Sequence, residues 1–217
     1  VPGGSVTVAL SGNGVDPGAL TMSPTTGDFG MIGTGQVSSD LTFTVLNSGD
    51  VTSRPLASSL AGTDAAAFAV GSDGCSGATL APGASCAVAV HFSPTALGMR
   101  AATLTVAGTP GGGAVAALSG SGVTPASIGF SPTPYDFSVV DAGSDSAAQT
   151  FTLTNGGDIA TGAIGTTVAG DSTQFTVVSD GCNGVTLPPG GTCDVVVEFS
   201  PQSYGHFGLT LGATATP

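Results

Sequence analysis

Lysine is absent from the 217 residues, and Arg54 and Arg100 are the only arginines against fourteen carboxylates, a formal net charge of −12. A nucleic-acid partner needs a basic footprint that two arginines cannot form, and anionic membrane surfaces are disfavoured for the same reason. The acidic balance instead keeps a surface rich in Thr, Ser and Ala soluble. Tryptophan is absent as well, and His91 and His206 are the only histidines. These two fall at non-equivalent positions, on the outer face of a strand and after Tyr204-Gly205. They read as surface residues, and no Ser-His-Asp order or nucleophile elbow accompanies them. No apolar run approaches the roughly 18 residues of a membrane-spanning helix. There is also no Asn-x-Ser/Thr sequon and no phosphate loop, since Gly111-Gly112-Gly113 leads into a strand rather than a helix.

The acids give no chemistry of their own. Asp28, Asp50, Asp64, Asp73, Asp136, Asp158, Asp171 and Asp180 mostly lie beside glycine or in turns, where Asp caps its own backbone. No calcium-loop pattern gathers them, which leaves a calcium ion at an inter-domain joint as the one metal alternative. Glu198 alone on an outer strand face does not make a glycosidase pair. The expectation is a non-enzyme with no catalytic residue, cofactor, metal or small-molecule substrate.

What is present is glycine (36), proline (14) and short Val/Thr/Phe runs, a composition of strands and turns. The chain repeats itself. Asn47-Ser48-Gly49-Asp50 returns as Asn155-Gly156-Gly157-Asp158, and Ser72-Asp73-Gly74-Cys75 as Ser179-Asp180-Gly181-Cys182. Cys86 matches Cys193, Phe92-Ser93-Pro94 matches Phe199-Ser200-Pro201, and Gly98 matches Gly205. Within each copy apolar residues alternate: Phe43 and Val45 against Phe151 and Leu153; Val88, Val90 and Phe92 against Val195, Val197 and Phe199. Ala87, Ala89 and His91 make the opposite, more solvated face in the first copy, Asp194, Val196 and Glu198 in the second. Leu104 and Val106 mark a further strand, followed by Ala114 to Leu118. Six to eight short strands per copy predict an all-β chain of tandem immunoglobulin-like β-sandwiches.

The limits of the repeat add a specific expectation. The first copy runs through the strand Ala114 to Leu118 and then Ser119-Gly120-Ser121-Gly122-Val123, whereas the second reaches Thr216-Pro217 without that strand. Yet Pro2 through Val15 aligns with Pro110 through Val123, with Val6, Val8 and Leu10 alternating. Residues 1–14 therefore read as an orphan closing strand, 15–122 as the first sandwich, and 123–217 as a second sandwich lacking its closing strand. Two readings stay open. The segment is the tail of a preceding repeat in a longer array, or it is a donor strand that completes the second sandwich of the next copy. A donor at one end and an acceptor at the other form a heterologous contact, which propagates as a head-to-tail polymer.

Four cysteines allow three pairings, and the repeated spacing of eleven favours Cys75–Cys86 and Cys182–Cys193. Each bridge staples the base of a loop and implies an oxidising compartment, so the chain is expected outside the cell or on its surface. The spacing suits neither a zinc knuckle nor a Cys-x-x-Cys redox pair.

These landmarks resemble the Hydin-type (ASH, choice-of-anchor D) repeat, a relative of PapD-like and major-sperm-protein sandwiches. The matching residues in the first copy are Asp28-Phe29-Gly30, Phe43-Thr44-Val45, Asn47-Ser48-Gly49, Cys75, Leu80-Ala81-Pro82-Gly83, Cys86, Val88 to Pro94 and Leu118 to Gly122. The second copy follows, with Phe137-Ser138 where the first has Phe29-Gly30. The resemblance implies export and a role in surface stalks, adhesins or scaffolds, and it supplies no catalytic residue. The expected function is a structural subunit of an extracellular filament, or alternatively a two-repeat segment of a longer bacterial surface stalk or adhesin.

Overall fold

The computed structural model describes residues 3–15, 18–109 and 112–215. Pro2 and Pro110, which open the alignment of the orphan strand with the first copy's closing strand, lie outside the described residues, as do Gly111 and the terminal Thr216-Pro217. Contacts divide the chain into two compact units, one of residues 1–29, 38–92 and 100–120, the other of 30–37, 93–99 and 121–217.

The first sandwich contains eight strands: β1 (Leu20–Ser23), β2 (Thr26–Gly33), β3 (Leu41–Asn47), β4 (Ala57–Ala61), β5 (Phe68–Asp73), β6 (Ser85–Phe92), β7 (Gly98–Gly108) and β8 (Gly112–Val123). They form two sheets, in the orders β1-β3-β6-β5 and β2-β8-β7-β4. The alternation read from the sequence sets the register: Phe43 faces Val88 and Val45 faces Cys86 across β3 and β6. Phe43, Val45, Val88, Val90, Phe92, Leu104 and Val106 are sealed from solvent. Ala89, expected on the solvated face with Ala87 and His91, is buried as well.

β8 is longer than the Ala114 to Leu118 strand expected from the sequence. It continues through Ser119-Gly120-Ser121-Gly122-Val123, and its inward face is Ala114, Ala116, Leu118, Gly120 and Gly122. The glycines mark close approach rather than a turn. A Cβ on Gly120 would stand 2.8 Å from the Phe92 ring, and one on Gly122 would stand 2.3 Å from the Ala96 carbonyl oxygen.

The second sandwich has β9 (Ile128–Ser131), β10 (Gln149–Asn155), β11 (Ile164–Gly170), β12 (Phe175–Asp180), β13 (Thr192–Phe199) and β14 (Leu209–Ala215). One sheet has the order β12-β13-β10-β9, matching β5-β6-β3-β1 strand for strand, while among the described residues the other holds β11 and β14. Leu153, Ile164, Cys182, Leu187, Val195 and Val197 form its core. Each sandwich also carries a 3-10 turn at an equivalent place, Ala65–Ala67 and Ser172–Gln174.

Two devices are repeated in both. Disulfides join Cys75 to Cys86 and Cys182 to Cys193, each with Cα atoms 5.2 Å apart. An aspartate caps the entrance to each loop. Asp73 accepts hydrogen bonds from the N–H groups of Cys75 (2.8 Å) and Ser76 (2.9 Å), and Asp180 from those of Cys182 (2.9 Å) and Asn183 (3.1 Å). Partial burial works against ionisation at both, but hydrogen bonds outweigh it: from the Ser76 hydroxyl and these N–H groups at Asp73, and from the Thr166 hydroxyl and these N–H groups at Asp180. Both carboxyls are held below the ordinary carboxylate range.

The second device is a buried asparagine at the end of the central strand. Asn155 is inaccessible to solvent. Its amide donates to the carbonyls of Ile159 (2.8 Å) and Leu187 (3.1 Å), and its Oδ1 accepts from the N–H groups of Ser127 (3.2 Å) and Gly157 (3.0 Å). Asn47 does the same with Val51, Leu80, Ala19 and Gly49. One side chain thus satisfies backbone groups of three separate segments. Asn155→Ala would strand those groups without water, and a loss of about 3 kcal/mol is expected in denaturant unfolding.

Candidate strand-acceptor groove

The sheet of the first sandwich that contains β8 explains what the second has in its place. In that sheet β8 lies between β2 and β7. The counterpart of β2 is the stretch 134–141, which is not a strand, and β14 pairs only with β11 among the described residues. β14 is also shorter than β7, seven residues against eleven, because residues 205–208 are not drawn into the ladder. In the first sandwich β2 and β7 both lie beside β8; among the described residues their counterparts have no such neighbour.

Between 134–141 and β14 runs a cleft of about 510 Å³. Its floor is Phe151 of β10, Phe175 of β12, and Val197 and Phe199 of β13; its walls are Pro132 to Ser138 on one side and Leu209 to Leu211 on the other. His206 and Phe207 close one end. His206 is exposed, as its loop position implies, and also lines the cleft. The floor differs from its counterpart in exposure. Phe43 and Phe92 are 0% exposed under β8, whereas Phe151 and Phe199 are only half-buried.

The aromatic framework is nevertheless the same. Phe29, Phe68 and Phe92 form a triangle with ring centroids 5.7, 6.0 and 4.9 Å apart. Phe137, Phe175 and Phe199 form the equivalent triangle at 6.0, 6.2 and 4.8 Å. The wall keeps its conformation too. Ser138 has φ 60° where Gly30 has φ 67°, a left-handed conformation that costs a residue with a Cβ. The Ser138 N–H donates to Asp136 Oδ1 at 2.8 Å, a local bond that holds the bend. Tyr135 replaces Gly27 and packs edge-on against Phe137 and Phe151, with centroids 5.0 and 5.8 Å away.

The segment expected to close such a groove lies elsewhere in the chain. Residues 3–15 belong to no sheet, and Val6, Val8 and Leu10 are 92%, 76% and 92% exposed. Aligned with β8, Val6, Val8, Leu10, Gly12 and Gly14 fall on the inward positions of Ala114, Ala116, Leu118, Gly120 and Gly122.

Among the described residues no three His, Cys, Asp or Glu side chains converge as metal ligands, and no helix is long and apolar enough to cross a membrane. His91 Nδ1 lies 3.2 Å from Asp40 Oδ1 on the surface of β6.

Fold and disulfides place the molecule among the immunoglobulin-like β-sandwich proteins. Residues 126–214, within the second sandwich, match the model of the HYDIN/CFA65/VesB-like Ig-like domain family. Solved structures with similar architecture include the ASH/PapD-like domain 7 of human CEP192 (17% identity, 57% of this chain and 99% of that chain, TM-score 0.39). Others are the secreted serine protease VesC from Vibrio cholerae (17% identity, 88% and 49%, TM-score 0.35) and the E. coli chaperone DraB (12% identity, 88% and 89%, TM-score 0.37). No curated protein matches the sequence.

Proposed function

We propose that this chain is a structural subunit of an extracellular filament, in which residues 3–15 of one copy complete the second sandwich of the next. The carrying observation is β8. It fills the corresponding slot of the first sandwich with the same alternation of inward residues that Val6, Val8 and Leu10 would bring. Strand addition gives such a segment main-chain hydrogen bonds along the free edge of β14 and apolar contacts on the floor. The occupant is a second copy of this chain, because one molecule carries both the unpaired segment and the groove. The two disulfides support an oxidising setting outside the cell or at its surface. The role is mechanical rather than catalytic, and the partners are other copies rather than nucleic acid or a small molecule.

Intact mass of native material, with electron microscopy of the same sample, tests this. A mass near 20.5 kDa with regular fibres is the expected result. A much larger mass, with the strand supplied by covalent continuity, would establish the alternative of a longer surface stalk or adhesin.

A further inference from the structure

We infer that Gly12 and Gly14, rather than the aliphatic residues of the segment, fix the register in which the strand enters the groove; this rests on the strand-addition reading above. Side chains of a strand alternate with period two, so a slip of one residue would turn Thr7, Ser11 and Asn13 inward and is rejected by polarity. A slip of two is another matter. Val6, Val8 and Leu10 are all aliphatic, and moving Val6 into the slot of Val8, or Val8 into that of Leu10, exchanges one branched side chain for another.

The glycines do not allow that exchange. In the first sandwich the inward position after Leu118 is Gly120, where a Cβ would come within 2.8 Å of two Phe92 ring carbons and 3.1 Å of a third. The next inward position, Gly122, has the Ala96 carbonyl oxygen at 2.3 Å and Pro94 Cβ at 2.9 Å from where a Cβ would stand. By the alignment of the repeat, the counterparts in the second sandwich are Phe199, held in the same aromatic triangle, then Pro201 and the carbonyl of Ser203. Two consecutive inward slots therefore accept no side chain. Only one placement puts Gly12 and Gly14 on them together. A slip of two in one direction presses Leu10 onto Phe199. In the other direction it leaves Gly14 on Phe199 but brings Asp16 to the slot beside the Ser203 carbonyl. Steric exclusion thus does what hydrophobicity cannot, selecting a single register by rejecting its neighbours.

Four full-length proteins test this by sedimentation and electron microscopy: the unaltered chain, Ala9→Val, Gly12→Val and Val8→Asp. All three substitutions lie in the exposed segment, outside both sandwiches, so folding is not at issue. Ala9 corresponds to the outward Ala117, and Ala9→Val should assemble like the unaltered chain. Gly12→Val should raise the concentration needed for assembly by roughly tenfold or more, as overpacking of a fixed slot does. Val8→Asp should remain monomeric. If Gly12→Val assembles normally while Val8→Asp does not, the register inference is overturned and strand addition stands. If Val8→Asp also assembles normally, strand addition itself is overturned.

Discussion

Without residues 1–11 the protein is expected to stay monomeric at concentrations where the intact chain forms fibres, and its second sandwich should melt in a separate, lower transition. The estimate comes from the side chains involved. Val6, Val8 and Leu10 are almost wholly exposed, and burying each is worth about 1.5–3 kcal/mol. The gross gain is on the order of 5–9 kcal/mol, and part of it offsets the lost freedom of two associating bodies. The floor gains as well, since Phe151 and Phe199 would pass from half-buried to the sealed state of Phe43 and Phe92. Calorimetry on the truncated chain should resolve two transitions. A peptide with the sequence of residues 3–15, added in excess, should merge them by raising the lower one. Amides of β14 should then exchange far more slowly than in the truncated chain alone. Normal fibres from the truncated chain would show that the segment is not the connector.

The two disulfides should differ in consequence although they match in geometry. By loop-closure entropy, Cys182→Ala with Cys193→Ala should cost about 3 kcal/mol, as should Cys75→Ala with Cys86→Ala. The first sandwich has eight strands and a sealed core to draw on, while the second, before any strand is added, has six and a half-exposed floor. Against a total domain stability of roughly 5–15 kcal/mol, the same loss should leave the first folded and unfold the second. A spectroscopic accident makes this easy to follow. The chain has no tryptophan and only two tyrosines, Tyr135 and Tyr204, both in the second unit. Tyrosine emission therefore reports that sandwich alone, while circular dichroism reports both. Loss of the tyrosine signal in the first pair of substitutions and its retention in the second is the expected pattern. Equal unfolding in both variants would mean that the open groove does not weaken its sandwich.

Most of the architecture was legible because the repeat tests each pattern twice. Alternating residues such as Phe43 and Val45 gave the central strands, and the doubled spacing of eleven singled out the disulfide pairs that the structure closes. Glycine misled where it packs rather than turns. Ser119-Gly120-Ser121-Gly122 has the composition of a loop, and only the distances to Phe92 and Ala96 reveal a strand pressed against its neighbours. Burial of Ala89 was hidden because alanine fits either face. Asn47 and Asn155 stood out as landmarks, yet their role depends on carbonyls more than thirty residues away, which no local pattern encodes. The cleft itself was not legible, because its walls, with Tyr135, His206 and Phe207, come from irregular segments without periodicity.

The matched aromatic triangles have a kinetic consequence. Since Phe137, Phe175 and Phe199 already stand as they do in the closed sandwich, an incoming strand need not wait for the floor to rearrange. In the strand addition proposed above, the slow partner would be the segment, which must give up its conformational freedom as each residue zips into place. Joining would then proceed from a first foothold, and its speed would be set by how quickly residues 3–15 straighten rather than by the sandwich that receives them.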